Sequence, residues 1–255
     1  MTNQIDVVIQ PVVLRFSLVD DEVVYHFASD TEAVLDRMEK MIGIDPAESN
    51  LFDSNLGFLP VSTTVLIRGS KNVLVDPGNH HTGFYGQLGL GLRRFGVTPD
   101  DIDYVVCTHC HHDHMGSAFR IPGADLVMGE GEADFCEELY GPEETGRRLA
   151  VMGDLIEVPK GGDLELMPGV VAISTPGHTP GHISVLVESE SGHRVIVAGD
   201  TVMTRREYTE RTFSHWYTED QIKGLHASLD RLQSLQPTRV MPGHDRVFSP
   251  AEAWT

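Results

Sequence analysis

Apolar positions along the chain fall into short blocks, mostly β-branched, separated by Gly, Pro, Asp and Asn. Such blocks predict strands at residues 7–9, 12–16, 23–27, 63–67, 72–75, 104–107 and 124–128. The second half adds residues 164–167, 170–174, 183–188, 194–198 and 239–241. Tight turns at Gly69-Ser70, Pro168-Gly169 and Ser191-Gly192 punctuate them. Helical spacing is rarer. Val34, Leu35, Met38, Met41 and Ile42 share one face of a predicted helix over 31–42, with Asp30 as its N-cap. Helices are also predicted over 85–95, over 130–152 with a break at Gly141-Pro142, and from Thr218 or Glu219 to Leu235. Residues 44–60 carry turn formers and read as a loop or lid. Each half is a strand-rich block followed by helix. That order predicts one α/β domain over 1–255, an αββα four-layer sandwich in which residues 28–60 form a helix-plus-loop insertion near the site.

Composition narrows the class. The 255 residues are 40% hydrophobic, enough for a sizeable core. Acidic residues number 38 against 19 basic, a formal net charge of −19. That balance argues against a partner coated in phosphates, so nucleic acid is a poor candidate and a small-molecule substrate a better one. The longest apolar runs are too short to span a membrane, and the first ten residues carry no secretory pattern. Three cysteines, Cys107, Cys110 and Cys136, are too few for a disulfide scaffold. A cytoplasmic location is expected. An exposed apolar N-terminal region would support a homodimer.

The 13 histidines change the picture, because four of them crowd into residues 109–114. His109-Cys110-His111-His112-Asp113-His114 follows directly on a predicted strand. Thr175-Pro176-Gly177-His178-Thr179-Pro180-Gly181-His182 follows another, Asp200 ends a third, and His244 comes after the last. Strand ends on one sheet edge can converge in space. Five imidazoles and two carboxylates there are the ligands that divalent Zn, Mn, Fe or Co prefer, and they suffice for two ions. His112 falls off the ligand pattern, and His182 is better placed to support the loop. His80 and His81 either face the pocket or are solvated, and no catalytic role is expected of His26, His193, His215 or His226. Cys107 reads as a strand residue rather than half of a redox pair.

The order H-x-H-x-D-H, then His, then Asp, then His resembles the metallo-β-lactamase superfamily, and Asp76-Pro77-Gly78 is similar to its Asp-x-Gly turn. The resemblance implies that His109, His111 and His178 bind one ion, that Asp113, His114 and His244 bind a second, and that Asp200 bridges them. Zinc is the ion it favours. It implies a hydrolase in which a metal-bridging hydroxide attacks an ester or lactone, with Asp113 and Asp200 as catalytic carboxylates. The Pro-Gly-His-Thr-Pro-Gly-His string and the spacing resemble the acyl-homoserine lactonase group, although Met203 stands where that group carries Tyr. Tyr208 and Tyr217 are the candidates to replace it, and Arg205 and Trp216 complete the expected substrate contacts. The segment from Trp216 to Phe248 is also similar to small members of the histone-RNA-processing type. The alternatives are therefore a phosphodiesterase or ribonuclease, a thioesterase or hydrolase of an activated aryl ether, and a metal-binding module without catalysis.

Overall fold

The computed structural model describes residues 3–19, 22–28, 58–78, 82–189, 192–214 and 217–251. The expected helix over 31–42, most of the expected loop over 44–60, His80, His81, His215 and Trp216 lie outside the described residues.

Alternating side chains along the strands explain the layering. The first sheet has the order β1 (Gln4–Ile9), β5 (Thr64–Arg68), β6 (Asn72–Val75), β7 (Tyr104–Val106), β8 (Asp125–Gly129) and β9 (Leu155–Val158). The second runs β10 (Asp163–Met167), β11 (Val170–Ser174), β12 (Ile183–Glu188), β13 (Arg194–Gly199) and β14 (Arg239–Pro242). On β5, Val65 and Ile67 join one core with Val170, Val185 and Val197 of the second sheet, while Leu66 between them joins another. A strand buried on both faces in this way needs apolar residues throughout, which is why these blocks read as continuous runs.

The outer face of the first sheet packs Leu66, Leu74, Val105 and Leu126 against Leu88 and Leu92 of α1 (Thr82–Arg94) and Met115 of α2 (His112–Met115). The outer face of the second packs Ile173, Leu186 and Ile196 against Leu229 and Leu232. Those two leucines belong to a later helix, Glu219–Ser234, opened by a capping box of Thr218 and Gln221. The order helix, sheet, sheet, helix is the expected sandwich. A smaller antiparallel sheet, with β2 (Val12–Val19) between β3 (Glu22–Ala28) and β4 (Phe58–Val61), was not anticipated as a separate unit.

The helical stretch predicted over 130–152 is two helices, α3 (Glu132–Tyr140) and α4 (Pro142–Leu149), divided at Gly141, whose φ is 84°. Pro142 at the start of α4 makes that break obligatory. The sequence pattern missed β9, α2 and α5 (Arg205–Glu210), three short elements with few periodic positions. With those placed, Glu219–Ser234 is α6.

What positions the site is the parallel pairing. β6, β7 and β8 run parallel, as do β13 and β14, so their carboxyl ends share an edge. The two sheets are stitched at that edge by Ile183 N–H to Thr108 O at 2.9 Å and Thr63 N–H to Gly243 O at 2.8 Å.

Candidate metal centre

His109, His178, Asp200 and His244 sit one to four residues beyond the ends of β7, β11, β13 and β14, and His111, Asp113 and His114 follow five to eight residues beyond β7. Asp76 follows β6 with a φ of 50°, a left-handed conformation that Asp tolerates better than most residues. Its carboxylate accepts from Thr108 N–H and Thr108 Oγ1, both at 2.8 Å, and lies 2.9 Å from His114 Nδ1. One side chain thus fixes the start of the histidine loop and the orientation of one imidazole. Ser62 Oγ donates to the Asp113 carbonyl on the opposite side of that loop.

The ring nitrogens converge. His109 Nε2 and His178 Nε2 each lie 3.0 Å from His111 Nδ1, and His114 Nε2 lies 3.3 Å from His244 Nε2. Asp200 Oδ1 is 3.2 Å from His114 Nε2 and 3.4 Å from His244 Nε2, while Oδ2 is 3.4 Å from His178 Nε2. Asp113 Oδ2 is 3.2 Å from His244 Nε2. Three groups bring their donor atoms within 4.8 Å of one another: His109 with His111 and His178, His109 with His114 and Asp200, and Asp113 with His114 and His244.

Electrostatics divides the cluster in two. Burial lowers the pKa of His109 and His111, and takes that of His178 down to about 3, so these three imidazoles are neutral and offer lone pairs. Burial also disfavours charge on His114 and His244. There Asp200, helped by Asp113 and, for His114, by Asp76, outweighs it and lifts His114 well above its usual value and His244 to about 9. Burial raises Asp113 and Asp200, but the facing imidazoles prevail and hold both carboxyls low. The second half therefore concentrates carboxylate charge that calls for cations. Asp200 Oδ1 is buried and faces the Nε2 atoms of His114 and His244. Converging neutral imidazoles beside two carboxylates that hold protons on His114 and His244 fit divalent ions, which would take the place of those protons.

Support comes from residues that the sequence did not single out. Glu132, at the start of α3, is fully buried. It accepts from Cys110 N–H at 2.9 Å, between two of the converging histidines, and from Thr179 Oγ1 at 2.8 Å and Gly181 N–H at 2.9 Å in the other histidine loop. No spacing signal marks it, because it lies in an acidic stretch that reads as solvated helix. His182 supports its loop as expected: Nδ1 meets Thr175 Oγ1 and Thr201 Oγ1, both at 3.0 Å, and Nε2 accepts from Asp200 N–H at 3.0 Å. Glu132→Gln turns an NH2 towards at least one of three N–H or O–H donors. Metal affinity should fall about 10- to 100-fold, measured by chelator competition, while the secondary structure is retained. Undiminished affinity would show that the two loops hold their positions without the carboxylate.

The expected substrate residues divide by position. Met203 lies behind His178, with Sδ 3.5 Å from Tyr217 Oη, and Tyr217 Oη is 2.6 Å from His178 Nδ1. Tyr208 packs in the outer core with its ring centroid 5.3 Å from that of Phe248. Arg205 places its guanidinium over Phe248, 5.5 Å from the ring centroid, and its N–H donates to Asp245.

A family model described as the metallo-beta-lactamase superfamily matches residues 56–244, nearly the whole span that carries these loops. The chain belongs to that superfamily. A relative in Bacillus cereus, N-acyl homoserine lactonase, is 25% identical over 227 residues, covering 80% of this chain and 89% of its own. A beta-lactamase-like protein 2 homolog of Caenorhabditis elegans is 26% identical over 218 residues, covering 85% and 64%. Among solved structures, a mutant of the B. thuringiensis protein AiiA with N-decanoyl-L-homoserine at its active site superposes with a TM-score of 0.63 at 20% identity. That superposition covers 96% of this chain and 93% of the other. The superfamily chain is thus an enzyme of the metal-dependent hydrolase type in a metallo-beta-lactamase fold. Among the described residues no helix is long and apolar enough to cross a membrane.

Proposed function

We propose that this chain is a two-metal hydrolase that opens a small lactone or ester. The observation that carries the reading is the run of three overlapping donor sets, His109 with His111 and His178, His109 with His114 and Asp200, and Asp113 with His114 and His244, with Asp200 facing His114, His178 and His244. Divalent ions, with zinc favoured and Mn, Fe or Co as the alternatives, supply Lewis acidity and lower the pKa of bound water to about 7. The chain's own residues do the rest. His109, His111 and His178 hold their lone pairs on one point, and Tyr217 receives the Nδ1 proton of His178, which fixes the tautomer. Asp200 faces His114 through Oδ1 and His178 through Oδ2 from one buried position. Asp113 is the more exposed of the two carboxylates, 17% against 4%, and is the group placed to take a proton from water and return it to the leaving oxygen. The Tyr217 hydroxyl lies beside Met203 and on the Nδ1 side of His178, so its part in this reading is to hold that imidazole in place. The N-acyl homoserine lactonase relative supports a lactone as the substrate. The three described cysteines are free thiols, in keeping with a reducing compartment such as the cytoplasm.

The test is a side-by-side assay of metal-loaded protein on an acyl lactone and an activated phosphodiester. Lactone opening that chelator abolishes, without phosphodiester cleavage, is the expected result. Tyr217→Phe removes the hydroxyl that orients His178 and should lower that lactone turnover about 10- to 100-fold. Phosphodiester cleavage alone would move the chain to the nuclease branch. Inertness of the loaded protein on esters, thioesters and aryl ethers as well would overturn the hydrolase reading.

A further inference from the structure

Beside the metal centre lies a cavity of about 310 Å³ that the hydrolytic reading does not use. Its walls include Arg120, Arg147 and Arg148 with a single carboxylate, Glu144, and also His112, the residue between His111 and Asp113, and Gly116. Three guanidinium groups around one small space are unusual in a chain with twice as many acidic as basic residues.

The wall is preorganised. Arg148 Nε and Arg147 Nη2 each lie 2.7 Å from one oxygen of Glu144. The Arg148 guanidinium carbon also sits 4.8 Å from the Tyr140 ring centroid and 5.2 Å from that of Phe119. Stacking and the ion pair together hold its planar fork in place, so little side-chain entropy is lost when an oxyanion docks. Tyr140 links this wall to the metal loop. Its ring centroid is 4.5 Å from that of His112, and its hydroxyl donates to the Cys110 carbonyl at 3.0 Å.

Position matters as much as charge. Of the converging residues, His109, His114, His178, Asp200 and His244 are buried, whereas His111 and Asp113 are partly exposed. The centre therefore meets solvent along residues 111–113, and His112, the middle residue of that edge, is also the boundary of the arginine cavity.

We propose that this cavity binds a compact oxyanion, a carboxylate or phosphate group, carried by the molecule on which the centre acts. The link to substrate rests on the hydrolase reading, while anion binding itself does not. The chemistry follows from guanidinium geometry, which matches both groups with paired N–H donors, whereas a neutral acyl tail offers those donors no oxygens of matching charge.

Calorimetric titration of the metal-loaded protein with succinate, and separately with inorganic phosphate, tests the binding. Arg147→Glu reverses a largely exposed charge without touching the core, and Arg148→Lys keeps the charge but removes the fork. Affinity for at least one probe should fall about tenfold or more in Arg147→Glu and several-fold in Arg148→Lys, with metal content unchanged. Succinate alone would identify a carboxylate, and phosphate alone a phosphoryl group. Binding that both variants leave intact, or no binding by either probe, overturns the proposal, since an anion held on the metals would ignore these arginines. In turnover, Arg147→Glu should raise KM for a lactone bearing a carboxylate several-fold more than KM for a neutral lactone. Inertness towards both lactones would sink the lactone reading, while the titration would still decide the cavity.

Discussion

Asp200→Asn is expected to cut turnover about a thousandfold and to lower metal content in the purified protein. Asp200 reaches more of the centre than any other carboxylate, with three imidazole nitrogens within 3.4 Å of its two oxygens. It is buried at the end of β13, where its own N–H is fixed by His182, so no neighbour can move in to replace its charge. Removing one charge from such a buried set costs about 4 kcal/mol, which corresponds to about three decades in rate. A second readout does not depend on turnover. Asp200 is the main charge that lifts His114 and His244 above their ordinary range in the metal-free protein. Metal uptake must displace those protons, so apparent affinity should rise with pH towards about 9, and an indicator dye should register proton release. In Asp200→Asn both imidazoles lose that support and proton release should shrink. Full metal content with normal turnover in this variant would remove Asp200 from the centre.

What the sequence made legible follows a physical rule. Blocks buried on both faces, such as residues 65–67 and 185–187, are continuous apolar runs and could be placed from the sequence pattern alone. The converging histidines were also legible, because imidazoles rarely recur at H-x-H-x-D-H spacing for packing reasons. The supporting carboxylates were not. Glu132 accepts three hydrogen bonds from two loops roughly 50 and 20 residues distant, and nothing in a Gly-Glu-Gly-Glu stretch announces that. Asp76 was visible as a turn but not as the partner of His114, since that contact depends on how β6 and β7 pair. Arg205 and Tyr208 show the converse. Their place in the chain suggested substrate, and their side chains pack on Phe248 because α5 turns them towards the outer core.

Gly78→Ala is the second substitution with a large expected effect, and it tests the fold's hold on the centre without altering any ligand. A Cβ at position 78 would fall 1.5 Å from the Asp113 carbonyl oxygen and 2.8 Å from the His114 backbone nitrogen. Neither atom belongs to a side chain that could rotate away. The same turn is locked by Gly78 N–H to Asp76 O at 2.7 Å and Ser117 N–H to Pro77 O at 2.8 Å, and Ser62 holds the Asp113 carbonyl from β4's end. The methyl group must therefore push the turn and the histidine loop apart. Overpacking of this kind costs about 1–3 kcal/mol, a fall in Tm of several degrees for a chain of this size. The shift also moves Asp113 and His114 together, and a misplacement of about 1 Å at a reacting centre costs about a hundredfold in rate. Gly89→Ala in α1 is the control, because a Cβ there meets nothing within 4 Å. Alanine at that helical position should stabilise by up to about 1 kcal/mol and leave turnover unchanged. Equal behaviour of the two variants would mean that the Asp76-Pro77-Gly78 turn and the histidine loop are not rigidly packed. The centre would then owe its geometry to the bound ions rather than to the chain.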